Sequence, residues 1–240
     1  MTFILNKLDN LENGISLVSV VRNVEETYEM CLTQAAKICD EILIVNQSST
    51  DQTDIICREL LEKFKKEGKN VYYEIKEQTG LGESHRQYLV NKAKYRWIML
   101  LDGDEYWSDL LLQYIKNEFI FQTDNDELRV QRITMVPGLK PQNEINIAPR
   151  FWKKEGSFCP VELNAQLKGT KNPLVKNQFI IFHLIQDKET LLKKYDLYDI
   201  YNDNDYEKGI VSKEKYLRDK KIINAARKRI LNQNTEKNDK

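Results

Sequence analysis

The chain has 240 residues, 37 basic against 37 acidic side chains, and a formal net charge of +0. That length suits one domain, or one domain with an appendage, and the balanced charge gives no electrostatic ground for a nucleic-acid partner. At 41% hydrophobic residues a real core can form, yet no apolar run is long enough to span a membrane. Met1–Asn10 is too polar for a signal peptide. The four cysteines, Cys31, Cys39, Cys57 and Cys159, form no C-x-x-C pair, and they read as reduced core or near-core thiols of a cytosolic protein.

Ile15–Val21 is β-branched and apolar and reads as a buried strand, ended by Arg22 and Asn23. Val24, Tyr28, Cys31, Leu32, Ala35 and Cys39 recur at helical spacing, which predicts an amphipathic helix lying on the sheet. Glu41–Val45 is a second strand. The polar loop Asn46–Thr53 follows it, with Ser49 and Gln52 spaced as a capping box. Ile56, Leu60 and Phe64 mark the next helix, and Gly68 fits its C′ position. Val71–Ile75 is a third strand, Gly80 and Gly82 shape a loop, and a helix over 83–94 leads into Trp97–Leu101. The first hundred residues thus read β-α-β-α-β-α-β, an α/β pattern that implies a parallel sheet with right-handed crossovers. Ser108 caps one more helix, with Leu111, Leu112, Ile115 and Phe119 on its inner face.

After residue 124 the pattern changes. Strands of mixed polarity are expected at Leu128–Val136, Ala148–Lys153, Phe158–Leu167 and Gln178–Ile185. Turn-rich stretches at Pro137–Asn143 and Gly169–Pro173 break them, so this is an added antiparallel or mixed portion. Asp187–Tyr201 is expected to be helical. Ile210–Leu231 is expected as a helix with Arg218, Lys220, Lys221, Arg227, Lys228 and Arg229 on its polar side, and Asn232–Lys240 as disordered. The organisation is then one domain over 1–202, with halves at 14–107 and 124–202, and a charged tail over 203–240.

The stretch around which the rest is arranged is Trp97–Glu105. Five apolar residues, Trp97 to Leu101, run straight into Asp102, Asp104 and Glu105. An unbroken apolar run reads as a strand buried on both faces, and ligands of open α/β sheets bind beyond the C-terminal strand ends. Two aspartates flanking Gly103 set hard oxygen ligands side by side, as Mg²⁺ or Mn²⁺ on a diphosphate requires. The plain alternative is an acidic turn, since Asp-Gly is a common turn pair.

Several motifs in order resemble the GT-A nucleotide-sugar glycosyltransferases of family 2. Val20-Val21-Arg22-Asn23-Val24-Glu25-Glu26 is similar to the family's first strand and its continuation. Asp40–Thr53 is similar to its second strand and Asp-x-Gly-Ser-Thr-Asp-x-Thr loop, Arg86-Gln87 to its Arg/Lys-Asn pair, and Leu101–Glu105 to its Asp-x-Asp element. The Asp104-Glu105 ending, Pro149–Lys154 and His183 resemble the lipopolysaccharide-core glucosyltransferase branch. There are departures: Asn46 stands where the family has a base-binding carboxylate, and Ser48 where it has glycine. The branch's His-Glu pair is not intact, and Val161-Glu162 is the nearest equivalent.

The resemblance implies a GT-A fold, a mostly parallel sheet flanked by helices, whose 14–107 half binds the nucleotide-sugar and whose 124–202 half faces the acceptor. It implies metal-dependent, inverting sugar transfer from a nucleotide diphosphate, with UDP-hexose the expected donor and a glycan or lipid-linked acceptor. Mn²⁺ or Mg²⁺ would rest on Asp104 directly, with Asp102 touching the ribose or the metal through water, and with His183 as a further metal or diphosphate contact. Val21, Arg22, Asn23, Asn46, Arg86 and Gly103 join Asp102 around the nucleotide. Glu162 is the expected base, with Asp109 and Glu105 in reserve. Trp107 and Trp152 either pack in the core or stack on sugar faces. The basic C-terminal helix is either a solvated helix or a peripheral contact with the inner face of a membrane. Two rival readings are a sugar nucleotidyltransferase, which would need a glycine-rich loop after the first strand, and a non-catalytic nucleotide- or glycan-binding domain.

Overall fold

The computed structural model describes residues 12–78, 82–122, 124–137, 142–143, 149–155, 172–185, 189, 192, 203, 207 and 212–232. Four strands form the parallel part of the sheet: β1 (Glu12–Val21), β2 (Glu41–Asn46), β3 (Asn70–Ile75) and β4 (Tyr95–Leu101). They lie in the order β3-β2-β1-β4, each parallel to its neighbour. The helices between them are α1 (Tyr28–Ala36), α2 (Thr53–Lys66) and α3 (Glu83–Lys92).

Alternation along the strands explains the layering. Leu17, Ile42, Ile44, Trp97, Met99 and Leu101 face a core shared with α1 and α2. Val18, Val20, Leu43, Val45, Ile98 and Leu100 face the opposite side, under Leu89, Val90 and Ala93 of α3 and its end. A period of two therefore buries both faces of each strand. Two crossovers run on one face and the third on the other, so the strand order reverses between β1 and β4. Ligands of open α/β sheets bind beyond the carboxyl ends of the strands at such a reversal, which here is the edge where β1 and β4 end.

The mixed portion continues from β4 through β8 (Pro149–Lys153), β6 (Glu127–Met135), β9 (Pro173–Leu184) and β5 (Glu105–Trp107), with β7 (Gln142–Asn143) on β6. Strand β6 pairs parallel with β9, while β8 is antiparallel to both β4 and β6. The strand expected from Gln178 begins earlier, at Pro173, in place of the end of a turn. Helix α4 (Asp109–Asn117) is capped as expected, Ser108 Oγ accepting from Leu111 N at 3.4 Å. It ends before Phe119, which is buried in a short 3₁₀ turn instead. Helix α5 (Lys213–Asn232) covers most of the stretch expected as a basic helix and runs one residue beyond it, so that Asn232, expected as disordered, is helical. The strand expected at Phe158–Leu167 and the disordered stretch expected at Asn232–Lys240 lie outside the described residues, apart from Asn232 itself, and so does most of the helix at Asp187–Tyr201.

Two local expectations resolve differently. Gly68 has φ +86 and closes α2, with Gly68 N donating to Lys65 O and Lys69 N to Phe64 O, as a left-handed C′ residue allows. The capping box does not form. The N-cap is Gln52 and makes no side-chain cap bond, while Ser49 Oγ donates to Asn46 Oδ1 at 2.7 Å. Asp51 Oδ1 takes Thr53 N instead, at 3.0 Å. Cys31, Cys39 and Cys57 are free and buried, and burial, with Asp104 and Glu105 adding to it, pushes the Cys31 thiol up to about 12. Cys159 lies outside the described residues.

Candidate active site

The C-terminal ends of β1, β2 and β4 meet at one edge, Val21 lying level with Asn46 and Ser19 with Leu101. The loops leaving β1 and β2 are laced together. Asn23 N donates to Ser49 Oγ (3.0 Å), Thr50 N to Asn23 Oδ1 (2.9 Å), Val24 N to Thr53 Oγ1 (2.9 Å) and Gln52 N to Glu25 Oε2 (2.8 Å). Asn23 takes φ +51, a left-handed turn that asparagine tolerates. Val21 is buried in the core, and its carbonyl accepts Gln47 N at 2.9 Å; Arg22 is exposed.

Asn46 is 1% exposed. Its oxygen accepts Ser49 N and Oγ at 2.9 and 2.7 Å, and its amide donates to the Tyr73 hydroxyl at 3.0 Å. Tyr73 in turn donates to Asp54. The amide that replaces the family's carboxylate thus has a structural reason. A hydroxyl that donates to Asp54 needs a donor, not another anion, at position 46.

The acidic motif is clamped from several sides. Ser19 Oγ donates to Leu101 O at 2.9 Å, and Thr27 Oγ1 to Gly103 O at 2.8 Å. Thr27 is the N-cap residue of α1 but spends its hydroxyl on this motif rather than on its own helix. A Cβ at Gly103 would come within 2.8–3.0 Å of the Val24 side chain, so only glycine lets this loop lie against the one after β1.

Each oxygen of Asp102 holds a guanidinium: Arg86 Nη2 at 2.7 Å on Oδ1 and Arg150 Nη2 at 2.6 Å on Oδ2. Burial pushes the Asp102 carboxyl up, but Arg150 and Arg86 outweigh it and hold it well below the usual carboxylate range. Asp104, with a side chain 21% exposed, has Oδ2 3.2 Å from His183 Nε2. The other ring nitrogen of His183 lies 3.0 Å from Thr134 Oγ1, which fixes the plane of the imidazole. This is how metal-binding histidines are commonly oriented.

Glu105 does not continue the loop. It opens β5, opposite His183 on β9, and its side chain is 0% exposed. Arg150 Nε lies 2.9 and 3.1 Å from its two oxygens, and Arg132 Nη1 is 2.9 Å from Oε1. A carboxylate committed to two guanidinium groups cannot serve as a reserve base. Asp109 bonds Gln34 and Lys37 of the α1 region at 2.8 and 3.1 Å. Trp107 and Trp152 are both 1% exposed and pack in the core rather than offering a sugar platform. Gly82, at φ +89, is the N-cap residue of α3, four residues before Arg86. Glu162, Gly80 and Leu81 lie outside the described residues.

Asp102, Asp104, Arg86, Gly103 and His183 therefore converge. Arg150, quoted at the sequence level only as part of a resemblance, and Arg132, not singled out at all, belong with them. The available signal was arginine inside otherwise half-buried strands, where an unpaired guanidinium is costly and a carboxylate partner is to be expected.

The sequence profile of Glycosyl transferase family 2 matches residues 16–173. The minor teichoic acid biosynthesis protein GgaB of Bacillus subtilis is 30% identical over 109 residues, which are 43% of this chain and 12% of that protein. TarS residues 1–349 of S. aureus, solved with UDP, superpose with a TM-score of 0.55 at 15% identity over 79% of this chain and 65% of that one. The mannosyltransferase PcManGT of Pyrobaculum calidifontis, solved with GDP-Man and Mn²⁺, gives 0.57 at 12% identity over 92% and 73%. The chain thus spans 12% of the length of GgaB and 65% of the TarS fragment. The two structures share the GT-A fold of this chain. With more than half its length matched, the chain belongs to glycosyl transferase family 2.

Proposed function

We propose that this chain transfers a hexose from a UDP-linked donor to a hydroxyl of a surface glycan, with a divalent metal and with inversion. The observation that carries the reading is the meeting of Asp104, His183, Asp102 and Arg86 beyond the C-terminal end of β4. Among the described residues no three His, Cys, Asp or Glu side chains form a closed cage. The Asp104–His183 pair suits an open site instead, in which Mg²⁺ or Mn²⁺ keeps positions for diphosphate oxygens and water. Bound there, such a cation supplies Lewis-acid neutralisation of the leaving diphosphate.

The chain's own groups do the rest. Arg86, 20% exposed and holding Asp102 by one nitrogen, turns to a phosphate or the ribose; Asp102 meets the ribose or a metal-bound water. Asn23 and Arg22 edge the base. Glu162 takes the acceptor proton as the new glycosidic bond forms and the bond to the diphosphate breaks. A teichoic-acid-type acceptor is supported by the likeness to GgaB, and the lipopolysaccharide-core branch rests on sequence resemblance alone. No helix among the described residues is long and apolar enough to cross a membrane. Lys213, Lys221 and Lys228 share the exposed face of α5 with Leu217, which supports a peripheral contact with an anionic inner membrane face and a cytoplasmic site of action.

The test is a thermal-shift panel of UDP, GDP, CDP and dTDP, each with Mn²⁺ and with EDTA. Stabilisation by UDP only with Mn²⁺ is the expected result. No shift with any nucleotide overturns the reading. A non-catalytic binding domain is the second reading, favoured by the engagement of Asn46 with Ser49 of its own loop and Tyr73 of β3. Hydrolysis of UDP-hexose by the protein would exclude it.

A further inference from the structure

The geometry points to Arg150 as a positioning residue for the donor site, one that fixes the orientation of Asp102 from the acceptor-side half of the fold. This rests on the reading of the strand ends around Asp102 and Asp104 as a metal-assisted donor site. Four side chains form a continuous strut: Arg132 on β6, Glu105 on β5, Arg150 on β8 and Asp102 after β4. Its inner members are the most buried. Glu105 is 0% exposed and the Arg150 side chain 11%. Arg150 grips Glu105 through Nε and Nη2, and the same Nη2 reaches Asp102 Oδ2. Arg86 comes from helix α3 and meets Oδ1.

The grip on Oδ2 comes from a guanidinium that is itself locked onto the buried Glu105. A planar fork anchored at both ends has one orientation and loses little entropy in keeping it. Oδ2 is pinned, and Oδ1 is the oxygen that exchanges Arg86 for ribose or water when a donor arrives. Held this way, Asp102 is set before the ligand binds, and the strands that shape the acceptor side transmit their placement to the donor side. The competing account is that Arg150 only neutralises the buried Glu105.

Two variants separate these accounts, with UDP and MnCl₂ as the probe and titration calorimetry as the readout. Arg150→Met with Glu105→Gln removes the fork and the buried charge together. The amide introduced at position 105 still accepts from Arg132, so the thermal midpoint is expected near that of the parent. UDP binding in Mn²⁺ is nonetheless expected to weaken by roughly ten- to hundredfold, as when a residue orienting a ligand is lost. Arg150→Lys keeps the charge without the fork and is expected to fold and to bind UDP more weakly than the parent but better than the double variant. Parental UDP affinity in either protein overturns the positioning role while leaving the donor site standing. A parent that binds none of the four nucleoside diphosphates overturns both.

Discussion

His183 Nε2 lies 3.2 Å from Asp104 Oδ2, although the two residues are 79 positions apart. The contact is made because β5, which starts one residue after Asp104, pairs antiparallel with the end of β9. The backbone reinforces it, with Leu184 N donating to Asp104 O at 2.7 Å. Asp104→Asn is therefore expected to remove Mn²⁺-dependent UDP binding and sugar transfer while leaving the fold, since the backbone link survives. Calorimetry with circular dichroism checks this, and metal-dependent binding by the variant would sink the metal assignment. His183→Ala is expected to weaken the same binding by about tenfold or more.

Glu105 is a buried anion shared by two arginines. Removing it leaves both guanidinium groups without that partner in a desolvated place. Glu105→Ala is expected to cost about 3–5 kcal/mol of stability, measured as a fall in the urea midpoint. Glu105→Gln, which keeps the shape and one acceptor, is expected to cost less. Equal stability of Glu105→Ala and the parent would count against the strut.

Gly103 faces Val24 so closely that a methyl group has no room. Gly103→Ala is expected to cost about 1–3 kcal/mol by overpacking, and Val24→Ala in the same chain is expected to recover part of it. A double-mutant cycle by chemical denaturation gives the coupling. Additive losses would show that the two loops do not press on each other.

Asn46 supplies the donor that the Tyr73 hydroxyl requires. Asn46→Asp removes that donor and sets a second anion near a hydroxyl already given to Asp54. The expected loss is about 1–3 kcal/mol. Tyr73→Phe added to Asn46→Asp is expected to lose less than Asn46→Asp alone. The urea midpoints of the three proteins decide it.

The same group gives a pH dependence. Tyr73 and Arg58 hold the Asp54 carboxyl below its ordinary 3.8. A depressed folded pKa contributes stability that is fully present above the unfolded value and lost as pH falls through the folded one. Stability from this source is thus expected to decline below about pH 3.8. Tyr73→Phe is expected to flatten the decline in urea midpoint between that pH and lower values. A decline of the same steepness would mean that other carboxylates account for it.

What the sequence by itself determined is the local part. Runs such as Ile15–Val21 and Trp97–Leu101 are apolar on both faces, so each specifies a buried strand, and the helical spacing between them specifies crossovers. The acidic motif at the end of β4 and the loops after β1 and β2 were legible for the same reason, since each sits within a few residues of its strand. What only the tertiary structure decided is which distant groups meet there. Arg150 reaches Asp102 over 48 positions, and His183 reaches Asp104 over 79. Their partnerships depend on the order of β8, β6, β9 and β5 in the sheet, which strand pairing sets and residue spacing does not. Even within one loop, Ser49 is spaced to cap a helix and instead closes on Asn46. A hydroxyl takes the acceptor that the packed backbone brings nearest, and that choice is made in three dimensions.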